Sequence, residues 1–288
     1  MTARKHHHSR DMKSLPVQGA QGLFVIFTLL VVLCSRGASA QELSFDRERY
    51  HHAVEYCRQN AWPNPMLLSP DKQILCFRGD IFLNMDLSIA QDLNQDGLFV
   101  VRSPGGSAKS AIELSELLRD RHATVVVYDY CFSACAEYFL IASHQTYVLK
   151  GALVAWHYPR SGDPNHPFCT SLIEPLDGGP KKLLRGPCNA SGDQVAYRGY
   201  PAAVQFFKSR TVDARFEAPP DSRYVRKIVS SICAESRVYR DIAWTIHPRF
   251  YPKLFKTKIV YEAYPESQSE VDDMLTRLHW NVRIIYDP

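Results

Sequence analysis

The sequence predicts an α/β fold in which parallel strands are joined by crossover helices. Three observations predict it. Residues 98–101 (LFVV) and 123–128 (ATVVVY) are short, unbroken apolar runs, the mark of strands buried on both faces. The first run ends in Ser103-Pro104-Gly105-Gly106 and is followed by a helical stripe of Ala111, Leu114, Leu117 and Leu118. From Gln73 to Trp156, strand-like and helix-like stretches alternate with short links, an order that requires crossovers.

The elements follow in order. Residues 45–59 predict a helix, with a Pro-rich connection after it. Residues 74–77 predict a strand and 83–93 a helix. After the strand at 123–128, residues 132–143 (FSACAEYFLIAS) predict an apolar helix, and 146–149 and 152–156 two more strands. Residues 160–200 break the pattern with Gly, Pro and Asn and predict a long surface excursion, a kind of loop that tends to be functional or mobile. A helix is expected at 202–208. Ser267 and Glu270 form a capping box for a helix whose buried stripe is Val271, Met274, Leu275 and Leu278. Residues 281–286 (NVRIIY) close the chain as a strand.

Charge excludes several functions. Residues 1–40 hold five of the 34 Lys and Arg and one of the 30 Asp and Glu, which leaves 29 of each sign in the body. A neutral body lacks the electrostatic footprint for nucleic acid or an anionic membrane. Within 1–40, a basic start precedes a twelve-residue apolar run (23–34) and Ala38-Ser39-Ala40, the layout of a secretory signal peptide cleaved after Ala40. Twelve helical residues span roughly 18 Å, short of a ~30 Å hydrocarbon core, so stable membrane insertion after cleavage is not expected. An uncleaved segment would serve as an anchor. The organisation expected is therefore a signal peptide (1–40), an N-terminal helical segment (41–72) and an α/β domain (73–288). That domain has a core at 73–159, an inserted loop at 160–200 and a C-terminal part at 201–288.

Export to a periplasmic or extracellular space implies oxidised cysteines. The mature chain has seven: Cys57, Cys76, Cys131, Cys135, Cys169, Cys188 and Cys233. Cys57 with Cys76 is a reasonable pair, and Cys169 with Cys188 would staple the excursion. Cys131 and Cys135, four apart on a helix with Cα atoms ~6 Å apart, can join each other or distant partners such as Cys233. No spacing resembles a zinc site, and neither a metal nor a cofactor is expected.

Three features stand at strand C-terminal ends, where ligands collect in α/β architectures. They are Ser103-Pro104-Gly105-Gly106-Ser107, Cys131-Phe132-Ser133-Ala134-Cys135, and Trp156-His157-Tyr158-Pro159. Their logic is that of a serine nucleophile. Ser133 stands at a helix start that favours negative charge. Ala134 leaves its own N–H accessible, and Gly106 offers bare backbone on a second loop, so one N–H from each makes an oxyanion hole. Serine needs a base, and His157 is the natural one.

In this order and at spacings of 27 residues (Gly106 to Ser133) and 24 (Ser133 to His157), the motifs resemble the Clp protease proteolytic-subunit family of the crotonase-like superfold. The form Cys-Phe-Ser-Ala-Cys resembles an exported branch more than the cytosolic peptidase. The resemblance covers about residues 73–159. It implies repeated strand-strand-helix units and a serine-type endopeptidase, a hydrolase acting on peptides or proteins through an acyl-enzyme. The catalytic residues would be Ser133 and His157, with Gly106 and Ala134 holding the oxyanion. The family's third member, an orienting acid, falls on Asp213, with Asp193 and Asp221 in the same stretch. A Ser–Lys dyad through Lys109 or Lys150 is the other base arrangement. A homo-oligomer is left open, and an ATP-driven partner is not expected outside the cytosol. The alternative is a binding protein on the same fold with a degenerate catalytic set. A hydrolase or transferase of non-peptide acyl groups is a third possibility.

Overall fold

The computed structural model describes residues 45–60, 65–157, 168–173, 182–187, 201–212 and 242–288. Side chains of residues 157, 168–173, 182–187, 201, 204 and 242 lie outside that description, as do the expected signal peptide, Asp213 and most of the 160–200 excursion.

The apolar runs form a mixed α/β fold around a mostly parallel sheet. Its central path is β1 (Met66–Leu68), β2 (Ile74–Arg78), β3 (Leu98–Ser103), β4 (Thr124–Phe132), β6 (Leu153–His157), β9 (Ile242–Trp244) and β11 (Arg283–Ile285). Strand β5 (Gln145–Val148) also pairs with β4, and β10 (Lys258–Tyr261) pairs with β5. The β2–β3, β3–β4, β4–β5, β4–β6, β5–β10 and β9–β11 pairs are parallel, while β1–β2 and β6–β9 are antiparallel.

Strands β3 and β4 are buried on both faces, which is why their sequences are unbroken rather than alternating. On one face Phe77, Phe99, Val101, Val125 and Val127 pack with α3 (Ala108–Asp120) and α4 (Pro201–Arg210), through Leu114, Leu118, Phe206 and Phe207. On the other, Tyr130, Phe132, Leu153 and Ala155 pack beneath Val271, Met274 and Leu275 of α6 (Gln268–Arg277). Helix α1 (Arg47–Gln59) is N-capped by Asp46, whose carboxylate accepts from the Arg49 N–H. It is tied to β2 by the Cys57–Cys76 disulfide. Its Tyr50 ring meets Tyr147 of β5 at 5.0 Å. Ser267 caps α6 as its sequence predicts, by accepting from the Glu270 N–H.

Several elements differ from expectation. The helix at 83–93 shrinks to α2 (Ser88–Gln91), after a turn in which Asn84 has φ 55°. The helix at 132–143 is a five-residue π-turn, Cys135–Phe139, because β4 runs on to Phe132. Part of the excursion is an antiparallel hairpin, β7 (Phe168–Ile173) with β8 (Lys182–Pro187). Cys188 and Cys233 lie outside the described residues. Pro248–Phe250 forms a 3-10 turn leading into α5 (Tyr251–Leu254).

The extension of β4 turns on Asp129. Between the pairs Val101↔Val127 and Ser103↔Cys131, β4 carries two more residues than β3, and Asp129 takes φ 53° within that bulge. Its carboxylate is held by Arg58 Nη2 at 2.8 Å and Arg102 Nε at 3.5 Å. Before the bulge β4 pairs with β5; after it, Tyr130, Cys131 and Phe132 pair with Leu153, Val154 and Ala155 of β6. The bulge therefore brings the His157 strand alongside the Ser133 turn.

Candidate active site

The site is built where β3 and β4 end. After Ser103, the chain enters Pro104-Gly105-Gly106 and then α3, whose N-cap is Ser107. Fully buried Ser103 accepts from the Gly105 N–H through Oγ at 3.1 Å, which folds the loop back on its strand. The Ile81 N–H donates to Gly105 O at 2.9 Å, and the Ser107 N–H donates to Ile81 O at 2.8 Å. This bridge uses groups on either side of Gly106, so among the described residues the Gly106 N–H has no acceptor.

Both glycines are required where they stand. Gly105 has φ 99°, and a Cβ there would lie 2.6 Å from Ser133 Cβ and 2.9 Å from the Ala134 nitrogen. Gly106 has φ 140°, and a Cβ there would lie 2.2 Å from Ile81 O. The glycine loop therefore lies directly against the serine turn, an approach only bare backbone permits.

Ser133 itself occupies the left-handed region, with φ 54°. A serine there is held against a cost of about 1–2 kcal/mol, and such residues cluster at functional sites. Its N–H extends the β4–β6 ladder by donating to Ala155 O at 3.0 Å. Its carbonyl accepts from the Glu137 N–H at 2.9 Å. Ala134 then turns into right-handed backbone with φ −56° and ψ −27°. Its N–H has no acceptor among the described residues. The two free donors, Gly106 and Ala134, are thus the two named from the sequence, one on each of two touching loops.

Cys131 and Cys135 form a disulfide with Cα atoms 5.2 Å apart. It spans a strand end and the start of a π-turn rather than one helical turn, as expected from the sequence. With Cys57–Cys76, it fits an oxidising, exported environment. Among the described residues no helix is long and apolar enough to cross a membrane.

His157 is the last residue of β6, opposite Ala243 of β9. Its backbone lies one residue past the position facing Ser133 on the adjacent strand. Its imidazole is outside the described residues, as are Asp213, Asp193 and Asp221. The preceding Trp156 is fully buried and stacked on Phe255 at 5.6 Å, which anchors the strand end. Beneath it Tyr251 hydroxyl lies 2.9 Å from that of Tyr261. Burial pushes the Tyr251 phenol well above its ordinary value, so it stays neutral.

The lysines of the dyad alternative lie in the first turn of α3 and in the turn before β6. Lys109 Nζ donates to Asn84 Oδ1 at 2.9 Å and sits 4.0 Å from Glu113. Lys150 is exposed in the turn before β6, at the opposite end from His157. Among the described residues no three His, Cys, Asp or Glu side chains group to hold a metal ion.

Ser103 belongs to the motif but its role in holding the glycine loop is added by the structure, and two contributors lie outside the motifs: Ile81, whose backbone clamps the loop, and Glu137, a buried acid whose N–H holds the Ser133 carbonyl. Of these two, Glu137 carries a signal in the sequence, as a lone acid in an apolar run. No protein-family model matches the chain, and no curated protein matches it.

Proposed function

We propose that this protein is an exported serine-type peptidase of the Clp-like, crotonase-fold kind. The observation that carries the reading is Ser133 at φ 54° on a strand-to-helix turn, with the glycine loop against it and the Gly106 and Ala134 N–H groups unused among the described residues. A left-handed nucleophile between strand and helix lifts its side chain out of the strand's alternation. The order of glycine loop, serine turn and histidine strand supports the family resemblance.

In the proposed mechanism Ser133 Oγ attacks the scissile carbonyl carbon of a peptide. His157 accepts the serine proton as general base and returns it to the leaving amine. The Gly106 and Ala134 N–H groups stabilise the tetrahedral oxyanion, each donor contributing about 3 kcal/mol in the transition state. Water, activated by the same histidine, then releases the acyl group. Asp213 is the proposed partner that orients the imidazole.

The test is fluorophosphonate labelling of the oxidised full chain beside Ser133→Ala and His157→Ala. Labelling of the parent is expected, with complete loss in Ser133→Ala. His157→Ala should fall at least ~10³-fold while keeping its fold by circular dichroism. An unlabelled parent, under conditions that label a control serine hydrolase, would favour the binding-protein alternative.

A further inference from the structure

We propose that formation of the Cys131–Cys135 disulfide licenses Ser133, so that the site becomes reactive only in an oxidising compartment. The inference rests on Ser133 being the nucleophile, and it adds a regulation that the nucleophile reading does not require.

The placement of the bond carries the argument. It closes a ring of five residues with Ser133 at its centre, and Ser133 is the residue in that ring with φ in the left-handed region. The backbone on either side is irregular. Two residues before Cys131 lies the Asp129 bulge, and Cys135 opens a π-turn in which the Leu140 N–H donates to Cys135 O at 3.2 Å. The ladder to β6 holds the turn as far as the Ser133 N–H, and beyond it no regular α-helix continues. Without the bond, the conformation of Ser133 depends on two hydrogen bonds, to Ala155 O and from the Glu137 N–H. It also depends on the close approach of Gly105, where an added Cβ would lie 2.6 Å from Ser133 Cβ. A turn that relaxes toward right-handed or extended backbone moves both Ser133 and the Ala134 donor.

Both cysteines are fully buried, which fixes when the bond can form. The chemistry is exchange with an external disulfide, such as oxidised glutathione. One Sγ–Sγ bond forms between Cys131 and Cys135, the external S–S bond breaks, and two external thiols leave carrying the two protons. Core packing closes access to the sulfurs once the chain is folded. The device is therefore set during folding and is not reversed by mild reductant afterwards. Reduced chain in the cytosol would fold without a competent turn, which protects that compartment from the activity.

The second disulfide supplies the control, because Cys57–Cys76 joins α1 to β2 at the register of Val100 and Val126, before the β4 bulge. Full-length protein is compared as parent, Cys57→Ala/Cys76→Ala and Cys131→Ala/Cys135→Ala. The readouts are the fluorophosphonate labelling rate and the Ser133 φ angle in crystals. Expected are parent-like labelling without Cys57–Cys76, and roughly 100-fold slower labelling without Cys131–Cys135, with φ of Ser133 no longer positive. Equal labelling, or an unmoved φ, overturns the proposal and leaves the nucleophile reading standing. If the parent itself is not labelled, the nucleophile reading fails and this proposal fails with it, whereas a labelled parent with equally labelled variants overturns this proposal alone. Should Cys131→Ala/Cys135→Ala not fold, a chain with Cys34, Cys57, Cys76, Cys169, Cys188 and Cys233 all changed to Ala, refolded with and without dithiothreitol, isolates the same bond. Labelling that is indifferent to dithiothreitol during refolding overturns the proposal.

Discussion

At the residue scale, Ser133 and the two glycines fix one another. A side chain at Gly106 must displace Ile81 backbone, because its Cβ would lie 2.2 Å from Ile81 O. Gly106→Ala is therefore expected to cost about 2–3 kcal/mol in urea unfolding and to abolish fluorophosphonate labelling. Ser133 makes the opposite prediction for stability. Glycine tolerates φ 54° and alanine does not, so Ser133→Gly should be more stable than Ser133→Ala by about 1 kcal/mol. Equal stabilities would mean that the turn is not held left-handed in solution. The motif residues were legible because their chemistry depends on residue type and order. The left-handed backbone of Ser133 was not legible, since nothing in Phe-Ser-Ala marks it; it arises from the glycine loop, the β6 ladder and the disulfide acting together.

At the element scale, the reading of β4 shows how a polar residue misleads. The apolar run stops at Tyr128, yet the strand continues to Phe132, because Asp129 sits in a bulge with its carboxylate held by Arg58 and Arg102. The short strands β1, β9 and β10 were not anticipated; three or four residues give too little alternation to read. Helix α1 supplies a pH-dependent prediction. The Glu262 carboxylate pairs with Arg47 and with His51 at 3.0 Å, and accepts from the Lys150 N–H at 2.8 Å. Burial alone would raise its pKa, but the Lys150 N–H and the His51 and Arg47 contacts outweigh burial and hold it below the ordinary glutamate value. The folded carboxyl thus releases its proton more readily than the unfolded one. The stabilisation is full above the unfolded value of ~4.3 and is lost as pH falls through the folded value. Glu262→Gln should be less stable than the parent by about 1 kcal/mol at pH 7, with the gap closing below about pH 4. A gap that persists at pH 3 would contradict this assignment.

At the scale of the whole molecule, the two disulfides among the described residues are expected to separate stability from reactivity. Cys57–Cys76 lies 19 residues apart and Cys131–Cys135 four apart. Loop-closure entropy assigns them about 3.3 and about 2 kcal/mol. Removing the first is expected to lower the urea midpoint more, and removing the second to lower labelling more. The parallel sheet was legible because doubly buried strands carry unbroken apolar runs, and the split of β4 between β5 and β6 was not, because it depends on register. If this architecture activates one serine, peptide mass mapping of the fluorophosphonate adduct on the oxidised full chain locates it. A single adduct is expected, on Ser133. An adduct on Ser103, Ser107 or Ser110 of the neighbouring loop and helix start, or none at all, would contradict it.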